Sequence, residues 1–77
     1  MKIFKISQTE NTGYDTYDSA VVIAHHEFAA SEMNPGGKWG ERFTGWCSSP
    51  QLVTVEYLGE ADISLDIGFI CTSFNAG

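Results

Sequence analysis

Both tryptophans of the chain lie together with two cations in one short segment, residues 38–46. The residues concerned are Lys38, Trp39, Arg42 and Trp46. Tryptophan and arginine are enriched at binding hot spots, and an indole beside a cation can also stack on a base while the cation holds a phosphate. The segment therefore predicts either macromolecular contact anchored by Trp39 and Trp46, or a nucleotide site that uses all four residues. In a third interpretation the indole rings cover a face of a β-sheet.

A second cluster combines phenols and carboxylates at the entry of a predicted strand. It consists of Tyr14, Asp15, Tyr17 and Asp18. Tyrosine is enriched at protein interfaces because it gives a large, rigid contact area with a polar tip. One interpretation is a polar strand entry whose rings cover the sheet. The other is an acidic and aromatic contact patch for a basic partner, to which Glu27 and Glu32 of a predicted helix add charge.

Residue types that perform catalysis or bind metals are present, but their spacing does not match a catalytic or metal motif. His25 and His26 are adjacent, and neighbouring side chains point apart instead of converging on one ion. Asp62 and Asp66 alternate with apolar residues, without the glycine and the bidentate glutamate of a calcium loop. The sequence contains no nucleophile elbow, phosphate loop or HExxH motif. We therefore expect a non-enzymatic protein with no catalytic residue, no metal and no cofactor.

The overall charge restricts the class of partner. Ten acidic and four basic residues give the 77-residue chain a formal charge of −6. An acidic surface repels the phosphates of nucleic acids and of anionic membranes. We therefore expect a partner with a basic surface, and neither direct nucleic-acid binding nor membrane binding.

The small size of the chain limits what it can bury. A domain of this length buries only about 60% of the surface that its unfolded chain exposes, so we expect one domain, residues 1–77, that acts through its surface. We also expect a homodimer, because self-association adds burial to a marginal core. Cys47 and Cys71 come without an export signal or a membrane-spanning apolar run, which favours reduced thiols and a cytoplasmic location. Cys71 lies in an apolar run and is expected to be buried.

Hydrophobic periodicity predicts an α+β fold with the order β-β-α-β-β. The predicted strands are residues 1–8, 16–24, 52–58 and 68–74. The first two are joined by a connection too short for a crossover, so they should form an antiparallel hairpin. A short helix at residues 26–33 should pack on one face of the sheet through Phe28 and Met33. Residues 34–50 form a long irregular segment, and such segments are often functional.

Four stretches resemble a group of short, mostly uncharacterised proteins carried by bacteria and their phages. They are MKIFKISQTENTGYDTYDSAVV at the start, WCSSP, VTVEYLGEA, and ICTSFNAG at the end. The resemblance implies a mobile-element origin and a bacterial host. Small acidic phage proteins are often inhibitors of host defence, such as anti-CRISPR proteins, which commonly occupy a basic nucleic-acid groove on a host complex.

These observations lead to one leading hypothesis and two alternatives. The leading hypothesis is a phage-derived binding protein that blocks a basic surface of a host protein or nucleoprotein complex. Its contact residues are expected to be Tyr14, Asp15, Tyr17, Asp18, Glu27, Glu32, Trp39 and Trp46. The first alternative is a nucleotide-binding protein with a pocket at a subunit interface, and the second is a structural or assembly component of a phage particle.

Overall fold

Four antiparallel strands and one short helix make up the part of the chain that the structure describes. The structure is a computed structural model, and it describes residues 1–37, 39, 45–62 and 64–75. Its elements are β1 (Lys2–Ser7), β2 (Thr16–Ala24), α1 (Glu27–Ser31), a single 3-10 turn (Pro50–Leu52), β3 (Thr54–Glu60) and β4 (Gly68–Asn75). The strands lie in the order β3-β1-β2-β4, and every neighbouring pair is antiparallel. The predicted α+β class is confirmed.

The antiparallel hairpin of β1 and β2 forms as the sequence predicts, and it lies at the centre of the sheet. The pairing runs without interruption from Lys2 opposite Ala24 to Ser7 opposite Ser19. Valine and isoleucine in β2 suit a pleated, half-buried surface. The connection includes Asp15 in the left-handed region, with φ of 58°, a conformation that aspartate tolerates better than most residues.

The hydrophobic core lies on one face of this hairpin. Its strand residues are Phe4, Ile6, Ala20, Val22 and Ala24, which alternate along β1 and β2 as one face of a sheet requires. Ala30 of α1 covers one part of this face, and Trp46 and Cys47 cover another. Trp46 is 2% exposed, so the interpretation that a tryptophan covers the sheet is confirmed for this residue.

The helix is shorter than predicted and has a different inward face. His26 precedes it, and the Nδ1 atom of His26 accepts a hydrogen bond from the backbone N–H of Ala29 at 3.1 Å, which satisfies one of the free donors of the first turn. The prediction that Phe28 packs on the sheet is wrong, because Phe28 is 70% exposed. Ala30 takes the inward position instead, and Met33 packs against the core as predicted.

A buried glutamine fixes the hairpin connection. The Nε2 group of Gln8 donates to the carbonyls of Asn11 and Tyr17, each at 2.7 Å, and its Oε1 accepts from the backbone N–H of Asn11 at 2.9 Å. The Nδ2 group of Asn11 then donates to the carbonyl of Trp46 at 2.6 Å. The hairpin therefore holds the tryptophan that covers its own core face.

A second set of bonds brings the segment around Trp46 against the start of β2. The backbone N–H of Tyr17 donates to the carbonyl of Gly45 at 2.6 Å, and the carboxylate of Glu10 accepts from the backbone N–H of Ser48 at 2.8 Å. Gly45 has φ of 78°, and a Cβ there would lie 2.8 Å from the carbonyl oxygen of Asp15. This close approach requires glycine.

Candidate functional site

The residues expected to contact a partner fall into three groups in the structure. Tyr14, Asp15 and Asp18 are exposed near the start of β2. Glu27 and Glu32 are exposed at the two ends of α1, which packs across β1, β2 and β3. The third group, Tyr17, Trp39 and Trp46, packs against the core. The acidic residues therefore belong to two separate surfaces instead of one continuous patch.

The aromatic residues expected as contact anchors are mostly engaged within the protein. Trp46 is buried, which contradicts its prediction as a partner-binding or base-stacking residue, because the hairpin connection holds its backbone over the sheet. Trp39 is half-buried, and its Nε1 donates to the carbonyl of Glu32 at 2.8 Å. Tyr17 is half-buried, and its ring centroid lies 4.7 Å from that of Phe74. Of these aromatic anchors only Tyr14, which is 75% exposed, projects freely from the described part of the chain.

The proposed nucleotide site cannot be assembled from the described residues alone. Lys38 and Arg42 lie outside the residues that the structure describes. The remaining two members are Trp39, whose indole N–H is bonded to the carbonyl of Glu32, and Trp46, whose ring is buried. Stacking on a base requires an open ring face, and the ring of Trp46 has none.

A shallow groove between α1 and β3 brings apolar and acidic side chains together. It consists of three adjoining depressions with volumes of about 350, 320 and 310 Å³. Phe28 and Val53 line the first two, and Glu27 lines the first and the third. We call this the α1–β3 groove; its principal residues are Glu27, Phe28, Ser31, Glu32, Val53, Val55 and Tyr57.

The groove has exposed aromatic residues along its length. Phe28 is 70% exposed and Tyr57 is 53% exposed, although the two residues belong to different elements. Tyr57 also makes an edge-on contact with Phe4 at 5.9 Å between ring centroids, which fixes its position on the sheet. Val55 lies at the floor, half-buried against the core. Phe28 shares one depression with Val53 and Val55, and Tyr57 lines the adjoining one, so an apolar side chain of a partner could contact a ring in either.

The electrostatic character of the groove is acidic on the helix side. Glu27 and Glu32 are both exposed where they line it, while Lys2 and His26 line its far end. The phenol of Tyr57 donates a hydrogen bond to the carboxylate of Glu60. This hydrogen bond raises the pKa of Tyr57, with smaller contributions from desolvation and from the charge of Glu60. The arrangement suits a partner that offers a cation beside an apolar side chain.

The sequence contained a signal for this groove. Phe28 and Glu32 are four residues apart and therefore share one face of a helix, so an inward-facing Phe28 would also bury Glu32, and burial of a carboxylate without a partner is costly. The alternative helix phase, with Ala29, Ala30 and Met33 inward, avoids that cost and is the phase that the structure adopts. Because alanine is small, the helix lies close to the sheet, and Phe28 is left at the surface.

A second exposed apolar region is the outer strand β4. All six residues from 69 to 74 are exposed, including Phe69, Ile70 and Phe74. The prediction that Cys71 is buried is wrong, because the apolar run belongs to an edge strand and not to a central one. Cys47, by contrast, is buried, and desolvation raises the pKa of its thiol.

Two of the residues considered for metal binding, His26 and Asp62, have local structural roles. His26 caps α1. The Oδ1 atom of Asp62 accepts from the backbone N–H of Ser64 at 2.8 Å, and this hydrogen bond lowers the pKa of Asp62. Within the described part of the chain, no group of three or more His, Cys, Asp or Glu side chains is placed to hold a metal ion.

Comparisons with protein-family models, with curated proteins and with solved structures gave no match to this chain. None of the described helical segments has the length and apolar character needed to span a membrane. The functional argument therefore depends on the geometry and charge of this chain itself.

Proposed function

We propose that this protein is a non-enzymatic docking protein that binds a basic, partly apolar surface of a host protein or nucleoprotein complex through the α1–β3 groove. The observation that carries the proposal is the 70% exposure of Phe28 between Glu27 and the apolar residues Val53 and Val55. Complete burial of a fully exposed phenylalanine contributes about 1.5–3 kcal/mol, so burial of the exposed 70% of Phe28 would contribute about 1–2 kcal/mol. A partner side chain in the groove supplies that burial.

Charge and apolar contact have different roles in this proposal. The formal charge of −6 attracts a basic surface over a distance of about 10 Å at moderate salt and raises the association rate. Glu27 and Glu32 then lie close enough to pair with partner cations at the rim of the groove. Contact with Phe28 and Tyr57 excludes water and slows dissociation.

The biological setting that we propose is the cytoplasm of a bacterial host. This setting follows from the expected mobile-element origin of the chain and from its acidic composition. In this setting the protein occupies a basic nucleic-acid groove and thereby blocks its normal ligand. The β-β-α-β-β order is part of the same proposal, since it places α1 beside β3 and creates the groove.

A photo-cross-linking experiment identifies the partner and the surface that binds it. A photoreactive phenylalanine analogue is placed at position 28, or at position 14 as the control, and the protein is irradiated in bacterial cells. We expect a host protein to be captured from position 28 and not from position 14. Capture from position 14 alone would move the binding surface to the start of β2 and contradict the groove.

Two charge-neutralised variants test the same point with the purified partner. Glu27→Gln with Glu32→Gln removes two charges at the groove, while Asp15→Asn with Asp18→Asn removes two charges elsewhere. We expect the first pair to weaken binding about 10-fold and to reduce its salt dependence, and the second pair to have a much smaller effect. Equal effects of the two pairs would show that only net charge matters.

Two further results would replace the proposed function. Capture of phage-particle proteins in place of host proteins would favour an assembly component. A rise in melting temperature on addition of ATP or GTP would favour nucleotide binding, because a ligand at 100 times its dissociation constant adds about 2.7 kcal/mol to stability.

A further inference from the structure

The outer edge of β4 differs from the edges that soluble proteins usually leave open. Edge strands are commonly protected by charged residues, by proline or by a covering element. The sequence of β4, GFICTSFN, contains no charged residue and no proline. It lies at the end of the strand order, and no described residue pairs with its outer edge. Among the described residues, the row of backbone donors and acceptors beside exposed Phe69, Ile70 and Phe74 is therefore left without a pairing strand.

The distribution of charge determines which edge can meet a second copy. Each copy carries a formal charge of −6, so most approaches of two copies bring carboxylates together. The other edge strand, β3, contains Glu56 and Glu60, and antiparallel self-pairing there would place acidic residues in one small interface. Like charges facing each other across a strand pair are destabilising. At β4 this cost is absent, because residues 67–75 contain no ionised side chain.

We propose that two copies of this chain pair through β4, antiparallel and about a two-fold axis, to form a continuous eight-stranded sheet. An antiparallel pair of identical strands satisfies the symmetry of a closed dimer, and both copies supply the same uncharged surface. Each phenylalanine of β4 is 44% exposed, so each has about 90 Å² available for burial. A second copy is therefore the occupant that matches both the neutrality and the apolar character of this edge.

The faces of β4 determine the register of the proposed pair. Phe69, Thr72 and Phe74 lie opposite Val22, Ala20 and Tyr17 of β2, and the pairing skips Ile70. Because residues that oppose each other in a sheet share a face, these three side chains lie on the α1 side. When Thr72 lies at the two-fold axis, the two copies pair edge to edge and their α1 sides form one continuous face of the sheet. Phe69 of one copy then lies opposite Phe74 of the other, provided that the pairing leaves out Ile70, as the pairing of β4 with β2 does.

Two matched threonine substitutions test the proposed edge. Thr72 and Thr54 are both exposed and lie in the two edge strands, so Thr72→Lys places like charges at the axis, while Thr54→Lys makes the same change on β3. In sedimentation velocity at about 100 μM, a concentration suited to a small interface, we expect wild type and Thr54→Lys to have twice the chain mass of 8.4 kDa. Thr72→Lys should remain at the chain mass.

Several outcomes would overturn the proposal. A wild-type mass of one chain at this concentration would exclude the pair, and dimers of Thr72→Lys would place the contact elsewhere. Loss of the dimer in Thr54→Lys alone would assign it to β3. A mass that grows without limit would indicate open edge-to-edge aggregation in place of a closed dimer. Only the assignment of the contact to β3 would bear on the α1–β3 groove, because β3 supplies Val55 and Tyr57; the groove is tested separately by its own variants.

Cysteine cross-linking tests the register. In the proposed dimer the two copies of residue 72 lie directly opposite, at the Cα separation of about 4.5–5.5 Å that a disulfide accepts. We expect Thr72→Cys in a Cys71→Ser background to form a covalent dimer under mild oxidation at least 10-fold faster than wild type, whose Cys71 lies opposite Ser73. Equal rates, or faster linking through the native Cys71, would contradict this register.

Discussion

The two edges of the sheet are attached in similar ways but offer different chemistry. An aromatic pair joins each edge strand to its neighbour, Phe4 with Tyr57 at the β3 edge and Tyr17 with Phe74 at the β4 edge. The β3 edge contains acidic residues and borders the α1–β3 groove. The β4 edge is uncharged and has exposed residues along its length. The difference shows how one small sheet can separate two kinds of contact, one dependent on charge and one on strand pairing.

This separation has a physical consequence for a chain of high net charge. The charge that attracts a basic partner also repels a second copy, so self-association is favourable only where the charge is locally absent. Four of the ten acidic residues belong to α1, its C-cap or β3, whereas β4 has none, and this distribution allows both proposed contacts to exist in one molecule. The four predictions below test whether the two edges depend on the core and on each other, from the largest expected effect to the smallest.

Replacing the buried tryptophan should remove the support that both edges share. Trp46→Ala is expected to lower the free energy of unfolding by about 3–5 kcal/mol, the usual cost of truncating a buried aromatic residue. This is comparable with the whole stability of a small domain, so the variant should be largely unfolded at 37 °C by circular dichroism. Tyr14→Ala, at an exposed position, is the control and should change stability by less than about 0.5 kcal/mol.

A small decrease in the free energy of unfolding of Trp46→Ala would mean that the sheet is stable without the indole ring that covers its core face. In that case hydrogen exchange should show which of the two edges retains protection, and the view that they share one core would need revision.

The glycine beside this tryptophan packs against the start of β2, which pairs with the end of β4. Gly45→Ala would place a Cβ 2.8 Å from the carbonyl of Asp15 at a φ of 78°, a strain that typically costs about 1–3 kcal/mol. We expect exchange at the start of β2 and the end of β4 to increase more than exchange in β3. Gly13→Ala is the matched control, because a Cβ there meets nothing within 4 Å. Equal destabilisation by the two alanines would contradict the steric argument.

Much of the fold, but little of the candidate site, follows from local sequence pattern. The predicted limits of β2 agree with the structure, since β-branched residues and alternation are local signals. Predicted β3 lies two residues too early because Leu52 belongs to a 3-10 turn. The burial of Trp46 depends on Asn11, which donates to its carbonyl, and on Tyr17, which donates to the carbonyl of the preceding Gly45; both are distant in sequence. The hydrophobic pattern of a five-residue helix gives too few positions to fix its phase, so Phe28 was predicted to face the sheet although the cost of burying Glu32 argues against that phase.

The two aromatic pairs should contribute unequally to their edges. Phe74→Ala is expected to cost about 1–2 kcal/mol, because the residue is a little over half buried and its ring lies close to that of Tyr17. Tyr57→Ala should cost less, because its ring is more exposed and contacts Phe4 at a longer distance. Denaturant unfolding measures both losses, and hydrogen exchange should locate each at its own edge. A larger loss for Tyr57→Ala would reverse this comparison.

The smallest expected effect is a change in the pKa of Tyr57 at the β3 edge. The Glu60 carboxylate accepts the hydrogen bond of the neutral Tyr57 phenol, which raises the pKa of Tyr57 above its ordinary value of 10.0. The resulting stabilisation is complete below pH 10.0 and is lost as the pH rises through the higher pKa of the folded state. Glu60→Gln removes the charge and should return the phenol towards its ordinary pKa, measured by phenolate absorbance. Glu56→Gln removes an equal charge from the same strand but not the bond to Tyr57, so it should leave most of the shift in place. If both variants lower the pKa equally, the general negative potential of the β3 edge, and not the single hydrogen bond, controls Tyr57.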